Sequence, residues 1–371
     1  MSIITVVGSG MMGSAIAIPA ALNGNEMRMV GTHLDRDIID HARATHTHLT
    51  MKRPLPDSFK YYQIEELEEA LKDADLLVCG VSSFGIDWFC DNILPVIPDS
   101  LPVLSVTKGM QDMEDGSLKT YVDIFKERTA GRNIKFCAVG GPCTSYELAD
   151  RDNSFVCFCG DDIETLRKIK QMFEAPFYHV SLSTDVTGVE CAVAMKNAYA
   201  LAVTLAVGLA EKREGEGAVH YNSQAAIFAQ SVKEMRRLLK MAGGGDDNII
   251  YGAGDLYVTV FGGRTRFIGT LLGRGMKFEE AMKQLKGVTL ESIVIATRTA
   301  RAVKVLISKG KAKAEDFPLL LHVDDIINGG ADVDIPWTAF ESESFRLIIC
   351  FIFEIKDYIM FFVKQFSLLA E

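Results

Sequence analysis

The chain has 371 residues, which predicts two or three domains, and carries 39 Lys and Arg against 49 Asp and Glu. The resulting net charge of −10 repels nucleic acid and anionic lipid, so a general binder of either is not expected. With 48% hydrophobic and 24% charged residues, the bulk of the chain is neither disordered nor short of material for a core.

Residues Ile3–Val7 are β-branched throughout without polar alternation, which predicts a strand buried on both faces. No basic segment precedes them, so no leader is expected, and the default compartment is the cytoplasm. Gly8-Ser9-Gly10-Met11-Met12-Gly13 follows, and then a helix start at Ser14-Ala15-Ile16-Ala17. Strand, G-x-G-x-x-G, helix is the context a dinucleotide pyrophosphate needs. The first Gly allows the turn, the second the close approach, and the third the helix packing. The helix N-terminus offers free N–H groups and partial positive charge.

A second strand is predicted at Glu26–Val30. The residues after it should meet the adenosine ribose. Asp35 comes a little late for the acidic residue that favours NAD, whereas Thr32, His33 and Arg36 suit a 2′-phosphate. NAD and NADP both stay open. An acidic helix is expected at Ile64–Lys72, and strands at Leu76–Val81, Val103–Val106, Ile134–Val139 and Phe155–Cys159, with a helix over Ile163–Phe173. This alternation predicts a doubly wound α/β sheet of Rossmann type over residues 1–187. Lys108, between Thr107 and Gly109, ends a strand at the edge where such sheets bind ligands; a solvated charge is the plain alternative.

From Gly188 the period changes and no new sheet is expected; residues 188–340 read as an all-helical domain. Val189–Lys212 is apolar nearly all round, as a core helix is. Lys196 and Asn197 sit in its middle. A lysine there either snorkels to the surface or has a partner and a purpose, because burying an ammonium is costly. A helix is predicted at Asn222–Lys240, then a glycine turn at Gly252-Ala253-Gly254-Asp255-Leu256. Arg264 and Arg266 follow a Gly pair and suit bidentate contact with phosphate. The last helix of this domain is placed at Glu291–Ile307.

The eight cysteines are scattered, with no CxxC pair, and read as small buried hydrophobes in a reducing compartment. No metal site is expected; His46 and His48 have metal-like spacing but no further ligands. No apolar run is expected to approach the ~18 residues of a membrane span. In residues 341–371, Phe345, Ile348, Ile352, Ile355, Ile359, Phe362 and Phe366 recur every three or four positions, which predicts an appended amphipathic helix.

Five segments in one order resemble the NAD(P)-dependent glycerol-3-phosphate dehydrogenase family: Gly8–Ala15, Val106–Met110, Gly141–Ala149, Gly188–Leu209 and Gly252–Arg266. The resemblance covers roughly residues 1–340, and Thr107-Lys108-Gly109, Lys196-Asn197, Gly254-Asp255-Leu256 and Gly263-Arg264 are its most specific elements. It implies hydride transfer between NAD or NADP and the pair glycerol 3-phosphate and dihydroxyacetone phosphate. It also implies a homodimer. Lys196 would be the general acid and base, with Lys108 and Asp255 beside it. Lys108, Gly141, Asn197, Arg264 and Thr265 would bind substrate. Gly8, Gly10, Met11, Met12, Gly13 and Thr32 would bind cofactor, as would Lys108, Ser145, Arg264 and Glu291.

The chain departs from the family at Thr265, where Asn is usual, at Cys143, where a small hydroxyl or Ala is usual, and at Leu290-Glu291-Ser292. These positions put another polyol phosphate or ketose phosphate within range. A hydroxyacid or 3-hydroxyacyl-CoA dehydrogenase of the same plan would lean on a His or Glu, with His179 and His220 the nearest candidates. A non-catalytic NAD(P) sensor would keep the glycines and lose the lysines.

Overall fold

The β-branched run at the N-terminus forms β1 (Ile3–Val7), and Gly10 caps the helix Met11–Leu22 that follows. In the computed structural model, which describes residues 1–286 and 290–341, the later strands are β2 (Glu26–Val30), β3 (Lys60–Tyr62), β4 (Leu76–Cys79), β5 (Val103–Ser105), β6 (Met110–Asp112), β7 (Leu118–Thr120), β8 (Phe136–Gly140), β9 (Ser154–Gly160) and β10 (Tyr178–Ser183). Eight of them form one sheet in the order β10-β9-β8-β5-β4-β1-β2-β3, while β6 and β7 pair as an antiparallel hairpin. Within the large sheet β9 runs antiparallel to β8, and every other pair is parallel. Alternate residues of one strand feed two cores: Leu76 and Val78 pack on one side, Leu77 and Cys79 on the other. This is why these strands carry no polar alternation.

The N-terminal part is thus a Rossmann-like parallel sheet with helices, and the C-terminal part is helical. The sheet ends at Ser183, and Asp185 then caps the long helix Val186–Glu214, its Oδ1 accepting from Gly188 N at 2.8 Å. By length and a mean hydropathy of 1.5 this helix could cross a membrane, contrary to expectation, yet 89% of its most apolar window is buried. The cover comes from the helices Tyr221–Met241, Ile249–Val260, Gly263–Gly273, Glu291–Ser308 and Pro318–Asn328. Approach is closest at Gly269, where a Cβ would lie 1.9 Å from Thr204 Oγ1. Glu234 ties this bundle together. Its buried carboxylate accepts from Tyr199 OH, Gln230 Nε2 and the backbone N–H groups of Leu319 and Leu320, which opens the helix Pro318–Asn328. Those four donors offset the burial of the carboxylate.

Several expectations need correction. The strands expected at Leu76–Val81 and Ile134–Val139 run Leu76–Cys79 and Phe136–Gly140. The acidic helix expected at Ile64–Lys72 is a 3₁₀ turn, Ile64–Glu66, followed by the short helix Leu67–Leu71. Strands β3 and β10 lie at the sheet edges, and with the β6–β7 hairpin they carry no long apolar run, so periodicity does not announce them. The glycine turn expected at Gly252–Leu256 lies inside the helix Ile249–Val260. Gly252 is there for contact, since a Cβ would sit 2.5 Å from Ala192 O on the long helix. Residues Met1–Ile335 form one compact unit; of the second unit, beginning at Pro336, the short helix Trp337–Phe340 is described. The amphipathic helix expected over 341–371 lies, apart from Glu341, outside the described residues.

Glu190 fastens the long helix to the sheet layer. Its buried carboxyl takes Val122 N, in the first turn of the helix Tyr121–Arg128, at 3.2 Å. Burial pushes its pKa up from 4.5 to about 8. Between those values the folded chain holds a proton that the unfolded chain has released. The group's contribution is therefore full below pH 4.5 and is lost as pH rises through about 8. Glu190→Gln, which cannot titrate, should gain on wild type in Tm by roughly 5 °C between pH 5 and pH 9. Parallel melting curves across that range would remove the role of Glu190.

Candidate active site

The parallel strands end at one edge, and the loops there build a cleft of about 350 Å³. Gly10, Met11 and Met12 line it after β1, Gly80 and Ser82 after β4, and Thr107 and Lys108 after β5. Ser145, Lys196, Asn197, Arg264 and Glu291 complete the wall. Nine of the residues expected to act thus meet across a chain distance of 281 positions, from Gly10 to Glu291.

The fingerprint loop is shaped by close contact on one side and open space on the other. Gly8 has φ +103°, and a Cβ at Gly13 would lie 2.1 Å from Gly8 O. A Cβ at Gly10 would meet nothing within 4 Å, because that residue faces the open cleft. The N-terminus of the helix Met11–Leu22 opens at the same place. A cradle with free N–H groups and no side chain in it fits a pyrophosphate.

Three charged groups form the opposite end. Asp255, 1% exposed, places Oδ2 2.5 Å from Lys108 Nζ and Oδ1 2.8 Å from Lys196 Nζ. Lys108 also donates to Gly141 O at 2.9 Å, and Lys196 to Thr259 Oγ1 at 2.9 Å. Burial pushes the Lys196 ammonium below the ordinary lysine range. The charge on Lys108 pushes the same way, and the charge and hydrogen bond of Asp255 push back. Thr107 holds the loop that carries Lys108 by donating from Oγ1 to Val81 O at 2.6 Å. Glu291 Oε1 accepts from Ser83 Oγ at 3.0 Å, which draws the first turn of the helix Glu291–Ser308 onto the loop after β4.

Arg264 stands exposed in the first turn of the helix Gly263–Gly273 and makes no ion pair among the described residues. Its expected companion Arg266 is turned away and donates to Val260 O at 2.9 Å, so one guanidinium of the two lines the cleft. Thr265 is half-buried and does not line it. Thr32 is buried at the end of β2, where its N–H and hydroxyl both bond Asp35 Oδ2. Asp35 Oδ2 also lies 3.3 Å from Ser9 N, so this carboxylate braces the fingerprint loop, and Arg36 is paired with Glu65. Of the rival histidines, His179 bonds Asn153 and His220 bonds Glu214, both exposed and outside the cleft. Thr259 escaped the sequence reading because Asp255 was expected in a turn; with both residues in one helix, Thr259 lies one turn beyond Asp255 and beside Lys196.

Comparison with known proteins gives the family and the fold. The family profile described as NAD-dependent glycerol-3-phosphate dehydrogenase N-terminus matches residues 3–165, and that described as the C-terminus of the same enzyme matches residues 185–337. The chain belongs to this family. The NADP(+)-dependent glycerol-3-phosphate dehydrogenase of Archaeoglobus fulgidus is 30% identical over 336 residues, covering 90% of this chain and 97% of that protein. A glycerol-3-phosphate dehydrogenase of Fusobacterium nucleatum, named for NAD(P)+, is 30% identical over 309 residues, covering 81% and 87%. The fold is similar to that of the Plasmodium falciparum glycerol-3-phosphate dehydrogenase, with a TM-score of 0.77 at 21% identity over 92% of this chain and 96% of that one.

The open side of Gly10 yields a direct test of whether this loop holds the dinucleotide. Gly10→Val has space for its side chain and should melt within about 2 °C of wild type, since surface changes cost little. It should bind NADH and NADPH at least about tenfold more weakly, because the side chain fills the cradle. Unchanged binding by calorimetry would show that the dinucleotide lies elsewhere.

Proposed function

We propose that the chain interconverts dihydroxyacetone phosphate and glycerol 3-phosphate with NAD or NADP, and that Lys196 moves the proton. The observation that carries this reading is the buried Asp255 carboxylate shared by two lysines at the end of a cleft that begins at a dinucleotide loop. A nicotinamide bound there supplies or takes the hydride. The chain's own residues do the rest. Lys196, held by Asp255 and Thr259, donates a proton to the carbonyl oxygen as that oxygen gains charge, and takes it back in the reverse direction. Its lowered pKa makes that exchange easier near neutral pH. Lys108 adds a second cation beside the same oxygen, and Gly141 O and Asp255 hold it there. Arg264, lining the cleft without an ion pair among the described residues, offers a planar fork to the substrate phosphate. Asn197 sits next to Lys196 in the same wall and offers an amide to substrate hydroxyls.

Following NADH and NADPH absorbance with dihydroxyacetone phosphate, acetoacetyl-CoA and a small keto acid tests the reading against its rivals. Turnover with the first substrate alone is expected. Lys196→Met should keep dinucleotide binding and lose at least about a hundredfold in kcat. More than a tenth of wild-type kcat would sink the assignment of Lys196. Arg264→Ala should raise KM for dihydroxyacetone phosphate by about tenfold to a hundredfold and leave unphosphorylated dihydroxyacetone unaffected. Equal effects on both substrates would argue against a phosphate contact.

A further inference from the structure

A buried imidazole lies under the fingerprint loop, outside every role assigned above. His48 is fully buried, and its Nε2 stands 2.9 Å from Ser9 O. Its Nδ1 receives Met51 N at 3.0 Å, with Thr50 Oγ1 at 3.4 Å. Met51 N can only donate and Ser9 O can only accept. The two contacts together therefore require the neutral ring with its proton on Nε2.

The segment that presents this ring is itself braced. His46 takes a left-handed conformation with φ +50°, Thr47 bridges Pro54, and His48 exchanges backbone hydrogen bonds with Arg53 O and Lys52 N. The ring is thus aimed at Ser9 by a loop that these backbone bonds hold in place.

Ser9 stands between the first two glycines of the fingerprint. A trans peptide is planar, with its C=O and N–H pointing in opposite directions. Holding Ser9 O inward on His48 turns the N–H of Gly10 outward. Gly10 is the residue with open space at its Cβ and a place in the cleft wall. Ser9 N is held from another side by Asp35 Oδ2 at 3.3 Å, and Ser14 Oγ adds a second donor to Ser9 O at 3.3 Å.

We infer that His48 is a positioning residue for the dinucleotide: by donating from Nε2 to Ser9 O it sets the Ser9–Gly10 peptide so that the Gly10 N–H faces the pyrophosphate. This rests on reading the Gly8–Gly13 loop as the cofactor cradle.

Asn and Gln separate the two contacts. The Asn amide can replace Nδ1 toward Met51 but does not reach Ser9, whereas the Gln amide reaches as far as Nε2. In the full-length chain, His48→Asn should raise the Kd for NADH and NADPH about threefold to tenfold, the worth of one hydrogen bond. Its kcat at saturating dinucleotide and its KM for dihydroxyacetone phosphate should stay within twofold of wild type. His48→Gln should restore Kd to within twofold. Equal weakening in both variants, or wild-type Kd in a folded His48→Asn, overturns the inference. Should His48→Asn fail to fold, the ¹⁵N signals of the wild-type ring decide. A proton on Nε2, unchanged when NADPH is added, supports the inference, and a proton on Nδ1 overturns it. A wild-type chain that binds neither dinucleotide would fail earlier, at the reading of the cradle, and takes this inference with it.

Discussion

A single carboxylate organises the cleft. Asp255 is almost wholly buried, and a buried charge is tolerated only where it is paired. Its two oxygens take one lysine each, from the loop after β5 and from the long helix. The bridge therefore connects the sheet edge to the helical part through two short contacts. It also keeps two ammoniums close together in a partly desolvated place, which neither would occupy alone. Lys108, Lys196 and Arg264 face two carboxylates, Asp255 between the lysines and Glu291 in the wall, which leaves one positive charge in excess. The cleft is consequently suited to an anionic ligand even though the whole chain carries a net charge of −10. Exposed charges beyond a Debye length of about 8 Å are largely screened, so the distant acidic surface does not undo this local balance.

The rest of the helical part works to hold that carboxylate still. The helix bearing Asp255 lies against the long helix where Gly252 admits contact with Ala192 O, and the helix bearing Arg264 is seated on Thr204 by Gly269. Glu234 links Tyr199 of the long helix to the start of the helix Pro318–Asn328. Near its start the same long helix is fixed to the sheet side by Glu190, and Asp185 caps it and ties it to Gly245 and Asn248. Lys196 thus projects from an element gripped along its length. Such rigidity suits the proton transfer proposed for Lys196, which needs a fixed distance.

Much of this was legible in the sequence, for reasons that differ by residue. The Gly8–Gly13 loop is local: a strand, three glycines and a helix start are contiguous; Gly8 and Gly13 answer to contacts within that unit or with the neighbouring strand end, and Gly10 to the open cleft. Strands β1, β4, β5, β8 and β9 announce themselves as apolar runs because both faces are covered, whereas β2 alternates buried Met27 and Met29 with half-buried Glu26 and Arg28. The edge strand β10, alternating and half-open, does not announce itself. Lys108, Lys196 and Arg264 were selected by their settings: a strand end, a buried helix and a Gly pair. Arg266 had the same setting as Arg264, yet it points to a backbone carbonyl, which no spacing argument could separate.

By itself the sequence determined the kind of molecule: a Rossmann-like sheet followed by a helical part, a dinucleotide loop, and lysines in places where a lysine needs a reason. Those follow from local covalent and hydrophobic pattern, which any stretch of ten to thirty residues carries within itself. Tertiary structure alone decided which groups share an atom. Asp255 between Lys108 and Lys196, Thr259 beside Lys196, Asp35 turned to Ser9, and His48 under the same residue are contacts between segments tens of residues or a helical turn apart. A buried polar group must find its partner wherever packing brings one within about 3 Å. That distance is set by the whole fold and by no segment of it.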